Sequence, residues 1–230
     1  MSTGGENADG DGRTGYLGNQ LPGSQATIIR HGTRAFAKLG YHRATVRDIA
    51  SESHISPTLI YHHFDGKPGL FTACVSHAAS QCGAIIRATL IESRPLDLRA
   101  RLQALAATLI EWSDHHPGEL DLLARVLVVG EGLEVVDVDL EVLAPLDESF
   151  FPLDAALRLA YGNQARIYLT YARASMFGVL SAWGSFDRRL GGECLLSASE
   201  RAGARDLLAE TLCDGVVSAL ERGSATENRS

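Results

Sequence analysis

Thr45-Val-Arg-Asp-Ile-Ala-Ser-Glu-Ser-His-Ile-Ser-Pro-Thr-Leu-Ile-Tyr-His-His-Phe-Asp-Gly-Lys67 is the stretch on which the reading of this 230-residue chain turns. Thr45 is placed to cap a short helix over 46–53, whose inward face is Val46, Ile49 and Ala50. His54 and Ile55 make a brief connection. Ser56 is then a good N-cap, and Pro57 takes the first helical position, where its missing N–H costs nothing. This second helix ends near His63, Asp65-Gly66 breaks it, and Pro68 fits the first turn of the next. Two short helices joined by a tight turn form a helix-turn-helix, whose second helix enters the major groove of DNA.

A groove-reading helix needs one apolar face to dock on its neighbours and one face of donors and thin side chains. Ile55, Leu59 or Ile60, and Phe64 supply the first; Pro57, Thr58, Tyr61 and His62 supply the second. Lys67, at the start of the next helix, is placed to reach a phosphate. Working back from Thr45, Ile28/Ile29, Ala35/Phe36 and Leu39 recur at helical spacing, with Gly40 as a natural stop.

The charge distribution agrees. The chain carries a net charge of −7, unusual for a DNA binder. Residues 25–70, however, hold Arg30, Arg34, Lys38, Arg43, Arg47 and Lys67 against Asp48, Glu52 and Asp65, with five of the eight histidines. The basic surplus is confined to this segment, and distribution matters more than the total.

Segment 26–70 resembles the DNA-binding region of the TetR family of bacterial regulators. The matching residues are Phe36, Gly40 and Tyr41, then Thr45-Val-Arg-Asp-Ile-Ala, then Ile55-Ser-Pro, and Ile60-Tyr-His-His-Phe with Lys67 and Leu70. The resemblance implies an all-α fold: a three-helix DNA-binding head with its helix-turn-helix, then a C-terminal helical ligand-binding and dimerisation domain. It implies that Thr45 is a phosphate-contacting cap and that Arg47 touches backbone or a base edge. Pro57, Thr58 and Leu59 would face bases; Tyr61, His63 and Lys67 would anchor phosphates. His62 is an added candidate for the groove. Three residues depart from the family pattern. His54 replaces a usual turn Gly, so positive φ is expected there. Thr58 replaces a small Gly or Ala. Gly66 replaces a Ser or Thr cap, weakening that helix start.

Residues 1–24 are polar and Gly-rich, and disorder is expected of them. Helices are expected at 67–92, 97–114, 117–130, 149–161, 163–186 and 199–222. Segment 133–143 alternates partly and reads as a loop or irregular helix, since a lone strand has no partner. The expected division is a tail at 1–24, a head at 25–70, a ligand-binding and dimerisation domain at 71–222, and a flexible tail at 223–230. Without a run of 18 apolar residues or an evident export signal, the chain reads as cytoplasmic and away from membranes. Cys74, Cys82, Cys194 and Cys213 read as buried free thiols rather than disulfides.

In the back half, Ala174, Gly178 and Ala182 form a small-residue stripe at i, i+4 and i+8 that suits close helix approach. Leu208, Leu212 and Gly215 lie on the final apolar helix. Phe-Gly-Val-Leu-Ser-Ala-Trp-Gly followed by that helix resembles the end of many TetR-family chains, where the last two helices of each subunit form a four-helix homodimer interface. Trp112, Phe150, Tyr168, Tyr171 and Phe177 are aromatic candidates for lining a pocket for an unknown small-molecule effector, with Phe151 and Tyr161 beside them. Each alone is more often core. Eight acidic residues and no basic one lie between Val126 and Leu157, which favours either a solvated loop or a cationic ligand. Asp114-His115-His116 with Glu119 does not read as a metal site, because adjacent histidines point apart on a helix, and no cofactor is expected.

No P-loop, G-x-G-x-x-G, G-x-S-x-G or H-E-x-x-H occurs, so an enzyme with an appended head is the weaker reading. A ligand-released repressor of a palindromic double-stranded DNA operator leads. Activation, and control by a protein partner, stay open.

Overall fold

The structure is a computed structural model that describes residues 23–130, 132, 140–162, 165–190, 203–204, 206–211 and 213–218. The expected disorder of 1–24, the tail at 223–230 and the reading of 133–139 fall largely on residues outside that set. Every regular element among the described residues is helical.

Helix α1 spans Gly23–Arg43 but bends at Gly40, where φ is 79°, a left-handed value that glycine adopts without strain. Helix α2 is Val46–Glu52 and α3 is Pro57–His63. Helix α4, Gly66–Glu92, follows with Asp65 in the left-handed region and no side-chain cap. The weak start expected from Gly66 is therefore present. Helices α5 (Leu98–His115) and α6 (Pro117–Ala124) lead into a π-helical turn, Arg125–Val129, closed by Gly130 at φ 73°. The single helix expected over 117–130 thus changes winding after Ala124. A 3₁₀ turn, Leu140–Leu143, precedes α7 (Ala144–Ser149) and α8 (Phe151–Tyr161). Pro145 and Pro152 sit in the first turns of α7 and α8; the helix expected over 149–161 corresponds to α8, and α7 stands before it as a separate short helix. Helix α9 is Ala165–Leu190, and helical residues recur between 203 and 218.

Helix α4 organises the packing. By length and composition it could cross a membrane, yet half of its most apolar stretch is buried inside the fold. Its small buried face (Cys74, Ala78, Ala79, Cys82, Gly83) admits neighbours closely. A Cβ on Gly83 would lie 2.5 Å from the Pro145 carbonyl oxygen, so α7 can rest directly on α4 only with glycine there. The thiols of Cys74 and Cys82 are pushed up to about 12 by burial, and that of Cys213 to about 11, which makes all three poor nucleophiles. These three are free and buried, as expected; Cys194 lies outside the described residues.

The first three helices close over α4 through an aromatic cluster. Phe36 meets Phe71 edge-on at 5.0 Å, and Tyr41 meets Phe71 at 4.9 Å. Helices α1 and α6 pack together, and Arg125 Nε donates 2.8 Å to the Ala37 carbonyl. The π-helical turn is thereby hydrogen-bonded to α1.

Candidate nucleic-acid interface

The two short helices are set by their caps. The Thr45 hydroxyl accepts from the Asp48 backbone N–H at 3.1 Å and donates to the Asp48 carboxylate at 2.6 Å. Ser56 accepts from the Leu59 N–H at 3.3 Å, with Pro57 in the first turn. His54 adopts φ 56°, the strained value expected of a side chain standing in a glycine position. The Ile55 N–H still reaches the Ala50 carbonyl at 3.0 Å, so the turn stays tight.

Helix α3 divides into the two faces expected. Ile60 and Phe64 are buried, and Ile55 packs against the same core. Pro57, Thr58 and His62 are exposed, Tyr61 is 59% exposed, and Leu59 is half-buried. Thr45 and Arg47 are exposed at the start of α2. A tyrosine this exposed beside Pro57 and Thr58 gives the core nothing; its hydroxyl is presented outward.

Two candidates are more tied down. His63 is half-buried, and its Nδ1 lies 3.3 Å from the Gln25 side-chain amide, which donates to it and links α3 to α1. Lys67 lies 4.5 Å over the Tyr41 ring and donates 3.2 Å to the His42 carbonyl. Burial lowers its pKa from the ordinary value. An ammonium has three donors, so one carbonyl leaves capacity for a phosphate. Arg30, Arg34, Lys38 and Arg43 are also exposed, extending the basic surface along α1.

The family described as bacterial regulatory proteins of the tetR family matches residues 28–74, the segment just described. The head at 28–74 is a DNA-binding segment of the TetR family of bacterial regulators. The HTH-type transcriptional repressor AcnR of Corynebacterium glutamicum is 28% identical over 145 residues, covering 55% of this chain and 77% of AcnR. Among solved structures, a TetR-family transcriptional regulator from Streptomyces coelicolor superposes with a TM-score of 0.59 at 18% identity. That match covers 89% of this chain and 82% of the other. The fatty acid degradation regulator FadR from Bacillus halodurans gives 0.57 at 15% identity, covering 86% and 96%. These two likenesses establish that the shared fold extends well beyond the head.

Behind this TetR-family head lies a cavity of about 590 Å³. It opens between the π-helical turn, the 3₁₀ turn, α7 and α9. Phe150 and Phe177, both named from the sequence, line it together with Leu127, Leu143, Leu146 and Arg173. Trp112 does not; it is buried in the core with its ring stacked on His116 at 5.0 Å. Tyr171 is 49% exposed and outside the lining, and the side chain of Tyr168 lies outside the described residues. The sequence reading missed Arg173, the lone charged residue between 167 and 186. That isolation is the signal that points to it.

The small-residue stripe of α9 is open. Ala174 and Ala182 are exposed, Gly178 is half-buried, and among the described residues nothing stands within 4 Å of a Cβ built on Gly178 or Gly215. Leu208 packs against the core, while the side chain of Leu212 lies outside the described residues. His115 and His116 donate through Nδ1 to the carbonyls of Glu111 and Trp112 at 3.0 and 3.1 Å. Among the described residues no group of three His, Cys, Asp or Glu is placed to hold a metal.

Proposed function

We propose that this protein is a homodimeric TetR-family repressor that binds a palindromic operator and is released by a small-molecule effector. Its working parts are a head at 25–70 and a ligand-binding and dimerisation body at 71–222, flanked by tails, and it acts in the cytoplasm. The observation that carries the DNA half is α3 itself. Its buried face holds the helix in place while Pro57, Thr58, Tyr61 and His62 stand outward, with Thr45, Arg47 and Lys67 around them. Few of the base-facing groups are polar. Specificity then leans on Arg47, His62, thymine-methyl contacts and DNA shape. The relative AcnR is described as a repressor, which supports that sign of regulation.

Dimerisation is supported by the open stripe Ala174, Gly178 and Ala182, with Val179 36% exposed among them. Two copies apposed there would place two heads on successive major grooves. The effector reading rests on the cavity against α9. A ligand that favours a different spacing of the heads would release DNA. Selecting bound sequences from random duplexes at two salt concentrations tests the proposal. A preferred palindrome with half-sites one or more helical turns apart is expected; no enriched sequence at either salt concentration would refute it.

A further inference from the structure

Gln25 and His63 are 38 residues apart in sequence, one in the first turn of α1 and the other closing α3. In the fold the Gln25 Nε2 lies 3.3 Å from the His63 Nδ1. The ring is also met edge-on by His62 at 5.2 Å and by Phe64 at 6.0 Å. An amide nitrogen only donates, so the Nδ1 beside it must accept. An imidazole that accepts at Nδ1 is neutral and carries its proton on Nε2. That second nitrogen has no hydrogen-bond partner among the described residues. It is not sealed from solvent either: the ring is half-buried, and Nε2 is not one of the buried polar atoms left without a partner.

From this we infer that Gln25 is a positioning residue for DNA contact: its amide holds the His63 imidazole neutral, with the Nε2–H left open at the end of α3 as a phosphate donor. The inference rests on the reading of α3 as the DNA-facing helix with His63 among its anchors. The gain is order. A neutral ring with both nitrogens in water exchanges its proton between them, and only one of the two tautomers puts a donor at Nε2. Fixing the inner nitrogen fixes the outer one, as a hydrogen bond on one nitrogen of a metal-bound histidine decides which nitrogen faces the metal. The anchors then differ in kind. Lys67 brings a charge, and His63 brings a neutral donor. A cation on a phosphate releases counter-ions and steepens the salt dependence of binding, whereas a neutral N–H does not. Gln25 itself touches no DNA in this arrangement. Its role is invisible in local sequence, because the group it orients arrives from another helix.

The test has two arms on the full chain. Multiple-bond proton–nitrogen NMR with isotope-labelled histidine at pH 8 reads the tautomer without DNA. The His63 signals, identified by their loss in His63→Ala, should show a protonated Nε2 and a bare Nδ1. A bare Nε2 overturns the inference. Gln25→Glu sets an acceptor against Nδ1 and should reverse the pattern. The second arm is fluorescence anisotropy on a short duplex of random sequence. His63→Ala should weaken binding about fivefold at pH 8, the scale of one neutral hydrogen bond. The slope of log affinity against log salt should stay unchanged; a slope shallower by about 0.9 marks a charged anchor and contradicts the inference. Gln25→Glu should lose about fivefold at pH 8, against the native chain at the same pH, and recover most of it at pH 5.5, where imidazolium donates from both nitrogens. An equal loss at both pH values marks a merely structural tie and overturns the positioning role. Unchanged affinity in His63→Ala removes His63 from the interface and overturns the inference, while α3 and its other anchors stand. A native chain that binds no duplex refutes the DNA-contact reading and the inference with it.

Discussion

The head and the body of this protein are built to different rules. In the head, the aromatic rings of Phe36, Tyr41 and Phe71 meet at contact distance, Ile60 is wholly buried, and both short helices carry side-chain caps. In the body, Phe177 is equally buried yet borders a cavity of about 590 Å³, and the buried Nε–H of Arg173 has no hydrogen-bond partner among the described residues. The head must hold α3 at one angle to fit a groove, so it is filled. On the proposed reading the body discriminates between occupied and empty states, and the space it keeps serves that. Between them stands the π-helical turn. Leu127 and Val128 face the cavity, and Arg125, two residues earlier, bonds α1 of the head. π-Turns of this kind often occur at functional positions.

Large-to-small substitution puts that contrast under the greatest strain. Phe36→Ala should cost about 3–5 kcal/mol, because close-packed rings cannot collapse into the space left. Phe177→Ala should cost less, since one side of that ring already lacks packing partners. Thermal or denaturant unfolding of both variants measures this, and equal losses would mean the body is packed as tightly as the head. Arg125→Ala comes next. Removing a charge-assisted bond to the Ala37 carbonyl should lower stability by about 1.5–3 kcal/mol in the same unfolding experiment. Retained stability would leave the head and the turn without a measurable tie through this side chain. Thr45→Ala should cost about 1 kcal/mol through loss of the α2 cap. Thr45→Ser, which keeps the hydroxyl, should recover most of it.

The smallest effect concerns pH. Burial first, then Arg30 and Arg34, lower the pKa of His31 below its ordinary 6.5. The folded state therefore favours neutral imidazole. Its contribution is present above pH 6.5 and declines as pH falls below that value, where the unfolded chain takes up the proton first. Comparing midpoints at pH 7.5 and 5.5 for the native chain and His31→Gln isolates the term. The native chain should lose slightly more than the variant.

Legibility followed the same divide. Thr45, Ser56, Pro57 and His54 act within three or four residues of themselves, so caps, helix start and the left-handed turn could all be read from local order. Gly66 announced an uncapped start in the same way, whereas Gly40, read as a stop, proved to be a bend within α1. The body depended on what distant elements bring together. An apolar run over 117–130 does not reveal that winding changes after Ala124. Nor do residues 144–161 reveal that Asp147 would meet Arg173 from α9. Aromaticity alone pointed to Phe150 and Phe177, which border the cavity, and to Trp112 as well, whose place is a stack on His116. The cavity is defined by packing rather than by residue type, which is why Arg173 was passed over.

DNA binding through this face requires α3 and its anchors to reach the duplex. The most direct measurement is fluorescence anisotropy of the full chain on the selected operator and on a scrambled duplex, for the native protein, Tyr61→Phe and Lys67→Ala. Each variant should weaken binding to both duplexes by about fivefold or more, since a phosphate contact of about 1 kcal/mol carries no sequence information. Native affinity for the operator in both variants would contradict the assignment of this face as the DNA-binding surface.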